Sequence, residues 1–166
     1  DGATKLGQVT AGSDGTWSYT PAIALTSGSH SIVAKELDGS DVVVKTSGAL
    51  TLTVDGTVAV PVVTAVAANS KVAPVVTGTA EAGATVTLTA TSVDGATVKS
   101  FTTVANASGA WSVDTGAGAS ALVSDKVYTL RAKQVDVAGN ESALSVTQTV
   151  NYDTVAGVPV INADRK

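Results

Sequence analysis

Residues 84–91 read Ala-Thr-Val-Thr-Leu-Thr-Ala-Thr. Ala84, Val86, Leu88 and Ala90 fall on one side of an extended chain, and the four threonines fall on the other. Side chains alternate between the faces of a strand, so this period of two predicts a strand with one buried face. Less regular alternation predicts further strands near 60–66, 74–80, 97–105, 110–114, 127–135 and 143–152. Earlier in the chain it predicts strands near 29–37 and 49–54. Turn chemistry separates them: Glu81-Ala82-Gly83, Asp94-Gly95, Asn106-Ala107-Ser108-Gly109 and Val137-Ala138-Gly139-Asn140. No segment shows a 3.6-residue apolar period bounded by helix caps.

The pattern recurs. His30–Asp38 (HSIVAKELD) aligns with Tyr128–Asp136 (YTLRAKQVD) at a shift of 98, sharing Ala34/Ala132 and Lys35/Lys133. Asp55 returns as Asp153, and Val60-Pro61-Val62-Val63 as Val158-Pro159-Val160-Ile161, both 98 residues on. Asp1-Gly2-Ala3-Thr4 matches Asp94-Gly95-Ala96-Thr97 at 93, and Trp17 matches Trp111 at 94. A period near 98 is too long for a solenoid repeat and has the size of a whole domain. The expected organisation is the C-terminal part of a first unit over 1–55, a complete unit over 56–153, and the start of a third over 154–166. Seven short strands per 98-residue unit predict an all-β, immunoglobulin-like Greek-key sandwich, repeated in tandem. The first unit lacks a counterpart of residues 57–93, about three of seven strands, so its core is expected to be partly uncovered.

Three ring residues sharpen this. Trp111 lies in a short predicted strand between small residues, and both tryptophans are expected to be buried. Leu122, Tyr128, Leu130 and Ala132 have the spacing of a tyrosine corner, in which the phenol bonds backbone near the preceding bend. His30, the only histidine, stands in the Tyr128 position of the first unit, where its ring is expected to pack as the tyrosine does.

Composition narrows the partners. Charged residues make up 14% and the net charge is −4, so no basic surface exists to hold a nucleic-acid backbone. With no cysteine, the domains must fold on packing or metal alone, which suits an exported chain kept uncrosslinked until outside. No apolar run approaches the ~18 residues that cross a bilayer, so membrane insertion is not expected. One histidine, no cysteine and acids confined largely to turns leave no nucleophile–base pair, so catalysis is not expected.

The complete unit resembles the bacterial Ig-like modules of giant surface and biofilm adhesins, of the RTX and biofilm-associated types. The residues that carry the resemblance run GTAEAGATVTL from Gly78, ASGAWSV from Ala107, YTLRA from Tyr128, VDVAGNES from Val135 and YDT from Tyr152. The first unit departs from it, with Asp38-Gly39-Ser40-Asp41 in place of the Asp-x-Ala-Gly-Asn stretch and Gly56 after Asp55. The resemblance implies an extracellular, bacterial cell-surface location and a spacer role in attachment and biofilm formation. The implied partners are neighbouring Ig-like repeats joined head to tail, and other cells or matrix reached through the parent protein. The alternative is an Ig-like adhesion module that itself grips a glycan or peptide.

Calcium needs six to eight oxygens, carboxylates among them, and no Asp-x-Asp-x-Asp loop supplies them from one segment. Alternating strand directions instead bring the unit's entry, the 80–83 turn, the 106–109 turn and the 136–142 loop to one pole. In a head-to-tail array Asp55, Glu81, Asp136 and the Asn140 amide oxygen are expected to converge there on calcium, and the adhesin resemblance implies junction calcium in relatives. The alternative is that Glu81 is a turn residue, that Asp136 and Asn140 stabilise their own loop, and that Asp55 merely ends a strand.

Overall fold

The computed structural model describes residues 4–157. The chain divides into two compact units, Asp1–Thr57 and Val58–Lys166. The residues expected to open a third unit lie outside the described residues from 158 onward.

In the first unit β1 (Gly28–Ile32) pairs antiparallel with β4 (Leu50–Val54), and β2 (Lys35–Leu37) with β3 (Val43–Thr46). The single strand expected over 29–37 is therefore broken. Ile32 pairs with Leu50, and three residues later Lys35 pairs with Thr46. At the break Ala34 N–H donates to Ser47 Oγ at 3.0 Å and Ser47 N–H donates to Ala34 O at 2.9 Å. His30 is the one buried residue among those described in this unit. Its Nε2 lies 2.7 Å from Thr26 O. Trp17 is 58% exposed, contrary to the expectation of burial. The reason is packing: no described strand of this unit covers the indole.

The second unit is a two-sheet sandwich. Its strands are β5 (Val62–Val63), β6 (Asn69–Ser70), β7 (Val75–Thr79), β8 (Thr85–Ser92), β9 (Val98–Val104), β10 (Ala110–Asp114), β11 (Lys126–Val135) and β12 (Gln148–Tyr152). One sheet has the order β10-β7-β5, the other β6-β12-β11-β8-β9. All pairings are antiparallel except β6 with β12. The predicted face of β8 is the buried one: Val86, Leu88 and Ala90 are inaccessible while the threonines between them are partly or fully exposed. They meet Phe101, Trp111, Val113, Tyr128, Leu130 and Val150 in one apolar cluster drawn from both sheets. Trp111 owes its place to Gly78, since a Cβ there would fall 2.4 Å from Trp111 Cζ2 and 2.0 Å from Val62 O.

Three local features depart from expectation. The strand expected over 60–66 is regular only at Val62–Val63. β6 is only two residues long, below the reach of any periodicity. The strand expected over 143–152 is regular only from Gln148. Upstream, serine hydroxyls stand in for ladder carbonyls: Ser142 Oγ accepts from Gln134 N–H (3.0 Å) and Ser145 Oγ from Ala132 N–H (2.9 Å).

The 98-residue shift reappears in the pairing. Gly28↔Val54, His30↔Leu52 and Ile32↔Leu50 have the same register as Lys126↔Tyr152, Tyr128↔Val150 and Leu130↔Gln148. Loop bonds repeat as well. Val42 N–H donates to Asp38 Oδ1 at 3.0 Å, and Asn140 N–H to Asp136 Oδ1 at 2.8 Å. Asp41 takes the positive φ (61°) that Gly139 takes (95°), so the first unit keeps the loop geometry despite its different sequence.

Candidate functional site at the Glu81–Asp136 pole

The 80–84 turn, the 105–109 turn and the 136–142 loop meet at one end of the second unit. Ala80 N–H donates to Gly109 O (2.8 Å), and Gly83 N–H donates to Ala105 O (3.0 Å). Gly83 and Gly109 both have positive φ, 77° and 79°, which a glycine adopts without strain. The entering chain reaches the same end, for Ala59 N–H donates to Glu81 Oε1 at 2.7 Å.

Asp136 is buried, just past β11. Its Oδ1 accepts Asn140 N–H, and its Oδ2 accepts the Asn140 side-chain amide at 2.8 Å. That amide bond is the main cause that holds the Asp136 carboxyl below the usual range. Burial opposes it, and the backbone N–H groups of Asn140, Gly139 and Ala138 assist it. Asp136 and Asn140 therefore stabilise their own loop. A carboxylate has about four lone-pair sites, so the same group retains capacity for a cation. Glu81 is partly buried, and one of its carboxylate oxygens lies within 4.8 Å of one of Asp136's. Like charges at that spacing repel unless a cation screens them. The donors are all oxygen, the chemistry that calcium prefers.

Of the four residues expected as ligands, Glu81, Asp136 and Asn140 share this pole. Asp55 belongs to the first unit, just after β4. There it is exposed, and its Oδ1 accepts Thr57 N–H at 3.2 Å.

Sequence reasoning missed Gln134. It lies on the buried face of β11, fully inaccessible, in line with Tyr128, Leu130 and Ala132. The available signal was a lone amide in an otherwise apolar row. Its Oε1 accepts Glu81 N–H (2.8 Å), and its Nε2 donates to Ala59 O (2.7 Å).

Elsewhere, an open groove of about 610 Å³ is lined by Thr64, Thr77, Thr103, Asn106, Trp111 and Ser112, among others. Its polar groups are hydroxyls and amides, with no acid or imidazole to activate them.

A two-sheet sandwich whose β10–β11 loop is closed by a tyrosine corner defines an immunoglobulin-like module. In that corner Tyr128 Oη donates to Val123 O at 3.0 Å. Residues 67–154 match the family described as Bacterial Ig-like domain, and the chain belongs to that family. Such domains are generally non-catalytic and are usually found in surface or extracellular proteins. No helix among the described residues is long and apolar enough to cross a membrane. No curated protein matches the chain. One solved chain, titled "Myokine structure", is similar at 14% identity over 58% of this chain and 99% of that one, with a TM-score of 0.41. A likeness at that level bears on neither fold nor function.

Proposed function

We propose that the chain is a non-catalytic spacer segment of a bacterial cell-surface adhesin. In this reading tandem Ig-like modules, joined head to tail, project an adhesive region and so support attachment and biofilm formation. The observation that carries it is the repeated pairing register: β1 with β4 and β11 with β12 are the same hairpin, 98 residues apart. The junction Asp55–Pro61 is short, and Pro61 fixes φ near the start of β5.

Calcium would stiffen that junction, held by Asp55, Glu81 and Asp136 with Asn140 as a fourth ligand. Two features support this. The Glu81 and Asp136 carboxylates are adjacent. Ala59, tied to Glu81, is only four residues from Asp55, a reach of at most ~14 Å of extended chain. The test is calorimetric titration of the 166-residue chain with calcium chloride, beside Asp55→Ala and Asp136→Ala. Binding by the parent and its loss in both variants is the expected outcome. No heat at millimolar calcium, or equal binding by all three proteins, means a metal-free junction.

A second reading, a module that grips a glycan or peptide, is favoured by one observation. Trp17 and Tyr19 are exposed two residues apart, and exposed aromatics are what sugar rings stack on. A glycan-array screen of the chain and of Trp17→Ala separates the two readings. Specific binding lost in the variant would favour this one over the spacer.

A further inference from the structure

Gln134 is buried among apolar side chains, where a polar group is costly unless it is hydrogen-bonded. Both ends of its amide are bonded, and both bonds go to backbone far away in sequence, at Glu81 and Ala59. The Ala59 N–H returns to Glu81 Oε1. Three segments thus close one ring: the entering chain, the β7–β8 turn and the end of β11. Gln134 is itself fixed, because Ser142 bonds both its N–H and its C=O.

We propose that Gln134 is a latch that fastens the entering chain to the module and adds to the module's resistance to tension along the chain. The topology says how. Lys126 pairs with Tyr152, so the exit after β12 lies at the end of the sheet opposite Gln134 and Ala59. β6 runs parallel to β12, through Asn69↔Asn151 and Ser70↔Tyr152. Asn151 N–H donates to Ala68 O (2.9 Å), and Asp153 N–H donates to Ser70 O (3.0 Å). Tension that draws residue 58 one way and residue 153 the other slides two parallel strands past each other. Their bonds are then loaded together, whereas antiparallel strands pulled from one end open a bond at a time. The latch adds its bonds at the inlet, so that residues 58–63 cannot peel away and leave β6 alone under tension. This is a property of the second unit and stands whether or not the parent is a spacer.

The chain has no cysteine, so handles can be placed at will. Thr57→Cys with Thr154→Cys pulls along the chain. Val123→Cys with Thr154→Cys pulls β11 and β12 apart from one end. In single-molecule force spectroscopy of the full chain, the first geometry is expected to need at least twofold more force than the second. Gln134→Leu should lower the force in the first geometry and leave the second unchanged. Equal forces in the two geometries, or no effect of Gln134→Leu, would overturn the proposal. Hydrogen exchange of the parent protein tests the latch without a substitution that risks misfolding. The Ala59 and Glu81 N–H groups are expected to be as protected as the β8–β11 ladder, and exchange at the rate of exposed backbone would refute the latch.

Discussion

Tyr128 and Val123 share two hydrogen bonds: the phenol donates to Val123 O at 3.0 Å and accepts Val123 N–H at 3.1 Å. One side chain thereby satisfies both backbone groups of the bend that leads into β11. Ninety-eight residues earlier His30 is buried at the matching position, and its Nε2 meets Thr26 O. The two rings differ, but each bonds the backbone of the chain that leads into its own strand.

Tyr128→Phe keeps the ring and strands Val123. Val123 is half exposed, so the scale is set by the two lost hydrogen bonds, at about 0.5–1.5 kcal/mol each, or about 1–3 kcal/mol together. Chemical denaturation is expected to show a loss in that range with an unchanged m-value. A loss under about 0.3 kcal/mol would mean that water replaces the phenol at no cost.

Trp111 is 3% exposed and packs on Gly78. Trp111→Ala is expected to destabilise the second unit by about 3–5 kcal/mol. Gly78→Ala should also destabilise it, because the new methyl meets the indole and the Val62 carbonyl. In fluorescence, Trp17 should be quenched by acrylamide and Trp111 should resist. Equal quenching of the single-tryptophan variants would contradict the packing.

Acid should unfold the second unit through its paired carboxylates. Asp94 is held well below the usual range, first by the Ser92 hydroxyl and then by the Lys126 ammonium and Ala96 N–H. Asp136 is lowered mainly by the Asn140 amide. A carboxyl whose folded value is depressed contributes stability above its unfolded value of about 3.9, and that stability is lost as pH falls through the folded value. Melting temperature is therefore expected to be flat from pH 7 to about 5 and to fall below about 4. Asp94→Asn with Asp136→Asn should flatten that fall. An unchanged acid slope in the double variant would assign acid sensitivity to other groups.

Hydrogen exchange should divide the chain. His30 is the only buried residue described in the first unit, whereas the second has a continuous core. Amides of residues 4–55 are expected to exchange much faster than those of residues 60–152 in dilute solution. Equal protection in a proven monomer would mean that the first unit is stabilised in a way its burial does not reveal.

Much of the fold is legible in the sequence because its determinants are local. The β8 alternation, the turn glycines and the Leu122–Tyr128 spacing act within a few residues. What escaped is long-range or irregular. β6 exists because Ala68 and Ser70 meet β12, and nothing in two residues announces that. Residues 143–147 were expected to continue the last strand, but upstream of Gln148 serine hydroxyls take the ladder positions. Trp17 carries the same local signal as Trp111, and only the presence of a covering strand separates them. At the site, Glu81, Asp136 and Asn140 were legible from the Greek-key path. Gln134 was not, since a polar residue on a buried face is explained only by partners 53 and 75 residues away.

The most direct test of the spacer reading joins residues 56–153 head to tail in chains of two, three and four copies and measures them by small-angle X-ray scattering. The largest dimension is expected to grow by a constant increment per copy, with a narrower distribution in calcium than in chelator if the junction carries the proposed ligands. Growth that follows a collapsed globule or a freely jointed chain, with or without calcium, would contradict a projecting spacer.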